Sequence, residues 1–159
     1  MRVLGIDPSL TSTGWAVLDD GILIDKGLIE TSTASGYLVE RYLHEKAELE
    51  RIISHFEIDT VASEGVVYGG ATSEAMFGVY LLFQMILHER KLRVVYFAPA
   101  QWKALMFKPH GEFTDDLAAL KFSLIGKKEA IEQARILSGG VRFTSDEADA
   151  YCIALCGTL

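Results

Sequence analysis

Four carboxylates sit at the ends of apolar runs, where a charge is costly, and this constrains the fold more than any other feature of the chain. Asp7 follows Val3-Leu4-Gly5-Ile6, and Glu64 follows Thr60-Val61-Ala62-Ser63. Asp146 and Asp149 open the stretch Ala148-Asp149-Ala150-Tyr151-Cys152-Ile153-Ala154-Leu155. A carboxylate at the rim of a core loses hydration unless a cation or a hydrogen-bond donor compensates. A fold that suits this chain brings the acids to water or to a shared cation.

The order of apolar patterns limits the choices further. Val3–Ile6 reads as a buried strand, and Trp15–Leu18 and Gly21–Glu30 as two more, joined by a turn at Asp19-Asp20-Gly21. Thr31–Gly36 is a polar loop. Tyr37–Phe56 repeats apolar residues at helical spacing, through Leu38, Tyr42, Leu49, Ile52, Ile53 and Phe56. Thr60–Ser63 is a short strand. Thr72–Arg90 is a helix with apolar residues on more than one face, so more than one partner must cover it. Arg93–Phe97 is a fifth strand, and Pro99 opens a helix reaching Phe107. Residues 108–116 break the pattern and 117–125 are ambiguous. Lys127–Leu137 is helical, stopped by Gly139-Gly140. The last helix is expected to start at Ser145 as N-cap and to run to Cys156. Three strands followed by alternating helices and strands predict an α/β fold, a five-stranded mixed sheet with helices on both faces.

The 159 residues fit a single domain spanning 1–159. Half of the residues are apolar and only three are proline, which supports a packed core. No window reaches the apolar length of a membrane span and the N-terminus lacks a signal-peptide pattern, so a cytoplasmic or nucleoid-associated protein is expected. Cys152 and Cys156 lie four apart on a helix, a spacing that fits packed thiols and no zinc knuckle. The net charge of −7 argues against a generic nucleic-acid binder. Its distribution does not: residues 90–142 hold ten of the 15 Lys and Arg side chains. Such a local field can hold a polyanion, although an ordinary solvated face looks the same.

If the first and fourth strands are parallel neighbours, Asp7 and Glu64 leave the sheet on one rim, where open α/β sheets bind ligands. Asp146 and Asp149 share a helix face. They also lie in the first helical turn, where the macrodipole favours negative charge, so simple capping remains a second reading of this pair. Carboxylates without His or Cys suit a hard ion such as Mg²⁺ or Mn²⁺. Two such ions can assist attack and departure at a phosphodiester. No Walker loop, Gly-x-Gly-x-x-Gly motif or Ser-His-Asp arrangement competes.

Leu4–Trp15, Ala62–Val66 and Asp146–Ala154 resemble, in order and spacing, the RuvC family of Holliday-junction resolvases within the RNase H-like superfamily. The resemblance implies that Asp7, Glu64, Asp146 and Asp149 bind two Mg²⁺ per subunit, with Mn²⁺ able to substitute. It implies hydrolysis of one phosphodiester per subunit by a homodimer that nicks two symmetric strands of a branched, four-way DNA. The helix near 72–90 is the expected dimer interface. Family lysines face the scissile phosphate. Lys103 aligns with one; Lys127-Lys128 aligns with another, with Lys128 in the better register and expected to be catalytic. Lys103, Lys108, Lys127, Lys128 and Arg135 are the expected DNA contacts.

Three departures stand out. Ser9 replaces a usual glycine. Val67 occupies the position of a junction-wedging aromatic, so neighbouring Tyr68 is the expected wedge. The stretch between Lys103 and Lys128 is longer than in bacterial members, which points to a phage-type or organelle-type protein acting on other branched DNAs as well. Such a protein would work in a host cytoplasm or an organelle matrix. Two alternatives share the Gly5-Ile6-Asp7 strand: an RNase H-like nuclease acting on RNA, of the pre-rRNA processing type, and an actin-like or sugar-kinase-type phosphate-binding domain. A catalytically dead junction-binding module is a third.

Overall fold

The computed structural model describes residues 1–66, 73–107 and 126–159. Strand β1 (Arg2–Asp7) pairs antiparallel with β2 (Ser12–Asp19), which pairs antiparallel with β3 (Ile22–Glu30). The β2–β3 turn carries Asp20 at φ 47° and Gly21 at φ 82°, the two positive dihedrals of a tight hairpin turn. Helix α1 (Leu38–Phe56) leads to β4 (Thr60–Glu64), which lies parallel to β1. Helix α2 (Glu74–Glu89) returns the chain to β5 (Arg93–Phe97), parallel to β4. Helices α3 (Pro99–Phe107), α4 (Lys127–Leu137) and α5 (Ser145–Cys156) follow. The sheet order is β3-β2-β1-β4-β5.

Strand alternation divides the core in two. Leu4 and Ile6 of β1, Trp15 and Val17 of β2 and Val61 of β4 face α1 and α2. Val3, Ala16, Leu18 and Ala62 face the other way, against Trp102 of α3, Ala134 of α4 and the apolar side of α5. The expected mixed sheet with helices on both faces is therefore observed.

Some local readings change. The N-cap of α5 is Thr144, whose side chain accepts from the Glu147 N–H while the Glu147 carboxylate accepts from the Thr144 N–H. This reciprocal box needs an acid three residues after the cap, which Thr144 has and Ser145 lacks. The loop expected at 31–36 contains a short 3-10 turn, Thr33–Ser35. Helix α2 begins at Glu74, capped by the Ser73 side chain. The segments 108–116 and 117–125 lie outside the described residues.

Helix α5 rests unusually close to the sheet. A Cβ on Gly5 would lie 2.1 Å from the Ala150 carbonyl oxygen, and one on Gly14 would lie 2.0 Å from that of Asp146. Only glycine admits this approach, and it brings the first turn of α5 down onto the exit of β1.

One buried acid lies apart from these. Glu45 is 0% exposed on the sheet side of α1, and neither carboxyl oxygen has a well-formed hydrogen bond among the described residues. Burial pushes its pKa to about 8, because the Thr13 hydroxyl and the Arg41 charge offset only part of the lost hydration. The folded chain therefore keeps a proton that the unfolded chain releases near pH 4.5. Stability is greatest below that pH and declines as pH rises towards 8, by up to about 5 kcal/mol from this group. Denaturant titrations of wild type and Glu45→Gln at several pH values check it. The substitution should remove this part of the slope, and an unchanged slope would refute the assignment.

Candidate active site

Asp7 and Glu64 end adjacent parallel strands, one residue beyond the Ile6–Ser63 pairing. By alternation both project to the face of Gly5 and Ala62, which α5 covers. Asp146 and Asp149 descend on them from that helix, one turn apart. All four side chains are half-buried.

Their electrostatics couple them to one another. Burial pushes the Asp7 pKa well above the usual carboxylate range, and the charges of Glu64, Asp149 and Asp146 push it further; Lys127 offsets a little. Asp149 rises to about 6, mainly through burial, with Lys103 and Lys127 opposing Glu64 and Asp146. Glu64 is raised by burial, against the Trp102 hydrogen bond and the Lys103 charge. Asp146 falls below its ordinary value. The effect of its burial is outweighed by hydrogen bonds from Ser12, Ser145 and Lys127. Ser12 Oγ donates to Asp146 Oδ2 at 2.8 Å, and Ser145 Oγ to Oδ1 at 2.9 Å.

The lysines divide. Lys127 Nζ lies 3.3 Å from Asp146 Oδ1. Lys128 is exposed and forms no ion pair with the described acids. The register that favoured Lys128 is thus not the one the structure brings to the acids. Successive helical residues point about 100° apart, so only one of the two can face α5. Lys103 lies close enough to act electrostatically on Glu64 and Asp149. Arg135 is paired with Glu132 at 2.7 Å on the surface of α4. Tyr68 and Lys108 lie outside the described residues.

Two residues reach the site that the sequence did not single out. The Trp102 indole N–H donates to Glu64 Oε2 at 2.9 Å. The Tyr80 phenol of α2 is pushed to about 12 by burial and by the charges of Glu64 and Asp7. Their polar atoms acquire meaning only through tertiary placement.

Among the described residues, no three His, Cys, Asp or Glu side chains stand close enough to cage an ion in the present side-chain arrangement. The donor chemistry nevertheless fits a hard divalent cation, because the groups that raise Asp7 are carboxylates and a cation would cancel that repulsion.

The sheet order and its two helical faces define the RNase H-like class of α/β folds. A model of the family described as crossover junction endodeoxyribonuclease RuvC matches residues 3–109. The RuvC protein of Caldicellulosiruptor saccharolyticus is 28% identical over 100% of this chain and 93% of its own length. That of Paramagnetospirillum magneticum is 29% identical over 98% of this chain and 90% of its own. A structure of T. thermophilus RuvC in complex with a Holliday junction substrate superimposes with a TM-score of 0.75 at 22% identity, over 98% of this chain and 90% of that one. The chain belongs to the RuvC family. That assignment displaces the kinase-like and RNA-processing readings of the Gly5–Gly14 segment.

Proposed function

We propose that this chain is a divalent-metal-dependent endonuclease that resolves four-way DNA junctions, hydrolysing one phosphodiester per subunit of a homodimer. The observation that carries this is the meeting of four acids from β1, β4 and α5 at one rim, in a member of this family.

Asp7, Glu64, Asp146 and Asp149 are the residues that would hold two Mg²⁺, with Mn²⁺ able to substitute. Such a pair supplies positive charge both for attack of water on phosphorus and for departure of the leaving oxygen. Burial and the neighbouring acids raise the pKa of Asp7, and a bound cation would favour its charged form. Ser12, Ser145 and Lys127 fix the rotamer of Asp146. Lys103 and Lys127 bring positive charge to the rim, where a phosphate would otherwise meet only acids. The expected Lys128 contact would lie outside this group, on the exposed side of α4.

The homodimer reading rests on α2. Phe77, Leu81 and Met85 are spaced four apart and are 41%, 59% and 53% exposed. They form one apolar stripe beside a groove of about 510 Å³ between α2 and β5. A two-fold pair of subunits joined there would present two identical sites to the two-fold symmetric strands of a junction. Wild type should sediment as a dimer, and the double variant Leu81→Glu, Met85→Glu as a monomer. A wild-type monomer at micromolar concentration would refute the interface. Among the described residues no helix is long and apolar enough to cross a membrane, and the reading places the protein with the DNA of the compartment where it acts.

Digestion of a four-way junction, a Y-fork, a linear duplex and an RNA–DNA hybrid in Mg²⁺ tests the substrate. Paired symmetric nicks in the junction are expected. Preferential cleavage of the hybrid would replace this reading with an RNA-directed one.

A further inference from the structure

We propose that Trp102 is a positioning residue for the acid site: its indole N–H holds one oxygen of Glu64 and leaves the other for a cation. Trp102 is 1% exposed, although it lies on a nine-residue helix after the edge strand β5. It is seated among Ala148, Tyr151 and Cys152 of α5, and its carbonyl accepts from the Cys156 thiol at 3.8 Å. The ring is therefore held on both its side chain and its backbone. Its only polar side-chain atom lies 2.9 Å from Glu64 Oε2.

Three physical points favour this role over space-filling. First, an indole N–H can only donate, and a buried donor without an acceptor costs about 1–3 kcal/mol. Packing alone would be met equally well by an apolar ring. Second, the donor is neutral. A lysine or arginine at this place would form an ion pair with Glu64 and compete with any divalent cation. Trp102 fixes the carboxylate and leaves its charge available. Third, an oxygen occupied by a fixed donor favours coordination through the other oxygen alone, as a small octahedral ion prefers. Asp146 is held by a different set, Ser12, Ser145 and Lys127. Each of the two acids thus has its own support, and the support of Glu64 comes from α3, an element that contributes no acid.

The inference rests on the proposal that Glu64 is a cation ligand, and the test separates the two. Mn²⁺ binding to the free protein is read by electron paramagnetic resonance, without DNA, for wild type, Glu64→Gln, Trp102→Phe, and a protein carrying β-(3-benzothienyl)alanine at position 102. The last replaces N–H by sulfur and keeps the shape of the ring, so it removes the hydrogen bond without opening a cavity. Outer supports of metal ligands typically contribute about 10–100-fold in affinity, so Mn²⁺ should bind at least about tenfold more weakly to the isostere and to Trp102→Phe. The isostere's unfolding temperature should match wild type. The Mg²⁺ concentration for half-maximal junction cleavage should rise by the same factor. Wild-type Mn²⁺ affinity in the isostere, with Glu64→Gln impaired, would overturn the role of Trp102 alone. Unchanged affinity in Glu64→Gln would overturn the ligand assignment and this inference with it.

Discussion

Asp7→Asn should abolish cleavage of a synthetic four-way junction in Mg²⁺, by more than about a thousandfold, because residues acting as one unit fail together. Junction binding in Ca²⁺ should survive, since the substitution changes one charge and almost no volume. The same variant should be more stable than wild type in the absence of divalent cations. Asp7 is buried against three other carboxylates that raise its pKa, so its charged form is a liability until a cation arrives. For a carboxyl raised in this way, the folded state gains stability at low pH and loses it as pH climbs through the raised pKa. Asparagine removes that loss. Activity and stability therefore move in opposite directions, a combination that a merely structural Asp7 would not give. Single-turnover cleavage and thermal unfolding in EDTA measure the two effects. Continued cleavage at wild-type rate would remove Asp7 from the site.

The second large effect is expected at a residue that carries no charge of its own. Gly14→Ala would place a methyl carbon 2.0 Å from the Asp146 carbonyl oxygen and 2.4 Å from its carbonyl carbon. Both contacts are backbone, so no side-chain rotation relieves them, and the first turn of α5 must lift. Asp146 and Asp149 rise with it, and the Ser12–Asp146 hydrogen bond is stretched. A displacement of about 1 Å in a reacting constellation can cost about a hundredfold in rate. Overpacking of this kind costs about 1–3 kcal/mol of stability. Gly14→Ala should thus cleave at least about a hundredfold more slowly while still folding, which circular dichroism and denaturant titration would confirm. Wild-type kinetics would show that the close approach of α5 does not position the acids.

Much of this candidate site is legible in the sequence. The apolar runs that end on Asp7 and Glu64 are short because they are buried strands, and their acids fall where the strands meet the rim. The bounds of β5, α3 and α4 follow from local chemistry: Pro99 opens a helix, and Gly139-Gly140 closes one. What the pattern hid depends on rotation or on tertiary contact. The choice between Lys127 and Lys128 turns on about 100° of helix phase, which a one-residue alignment shift reverses. The cap of α5 was misplaced by one residue because two adjacent hydroxyls both qualify, and only the reach of Glu147 back to Thr144 decides. Glu45 and Arg41 continue the buried stripe of Leu49 and Ile52 on α1, yet a reading that follows apolar residues passes over both. Nothing in the spacing of Trp102 and Tyr80 shows that the indole of one donates to Glu64 or that the phenol of the other feels the charges of Glu64 and Asp7.

The central claim is that acids from three separate elements form one cation site for phosphodiester hydrolysis. Anomalous diffraction from crystals grown in Mn²⁺ tests it most directly. The account predicts two peaks about 3.5–4 Å apart, bounded by Asp7, Glu64, Asp146 and Asp149. Manganese bound elsewhere at millimolar concentration, with none at these four side chains, would contradict it.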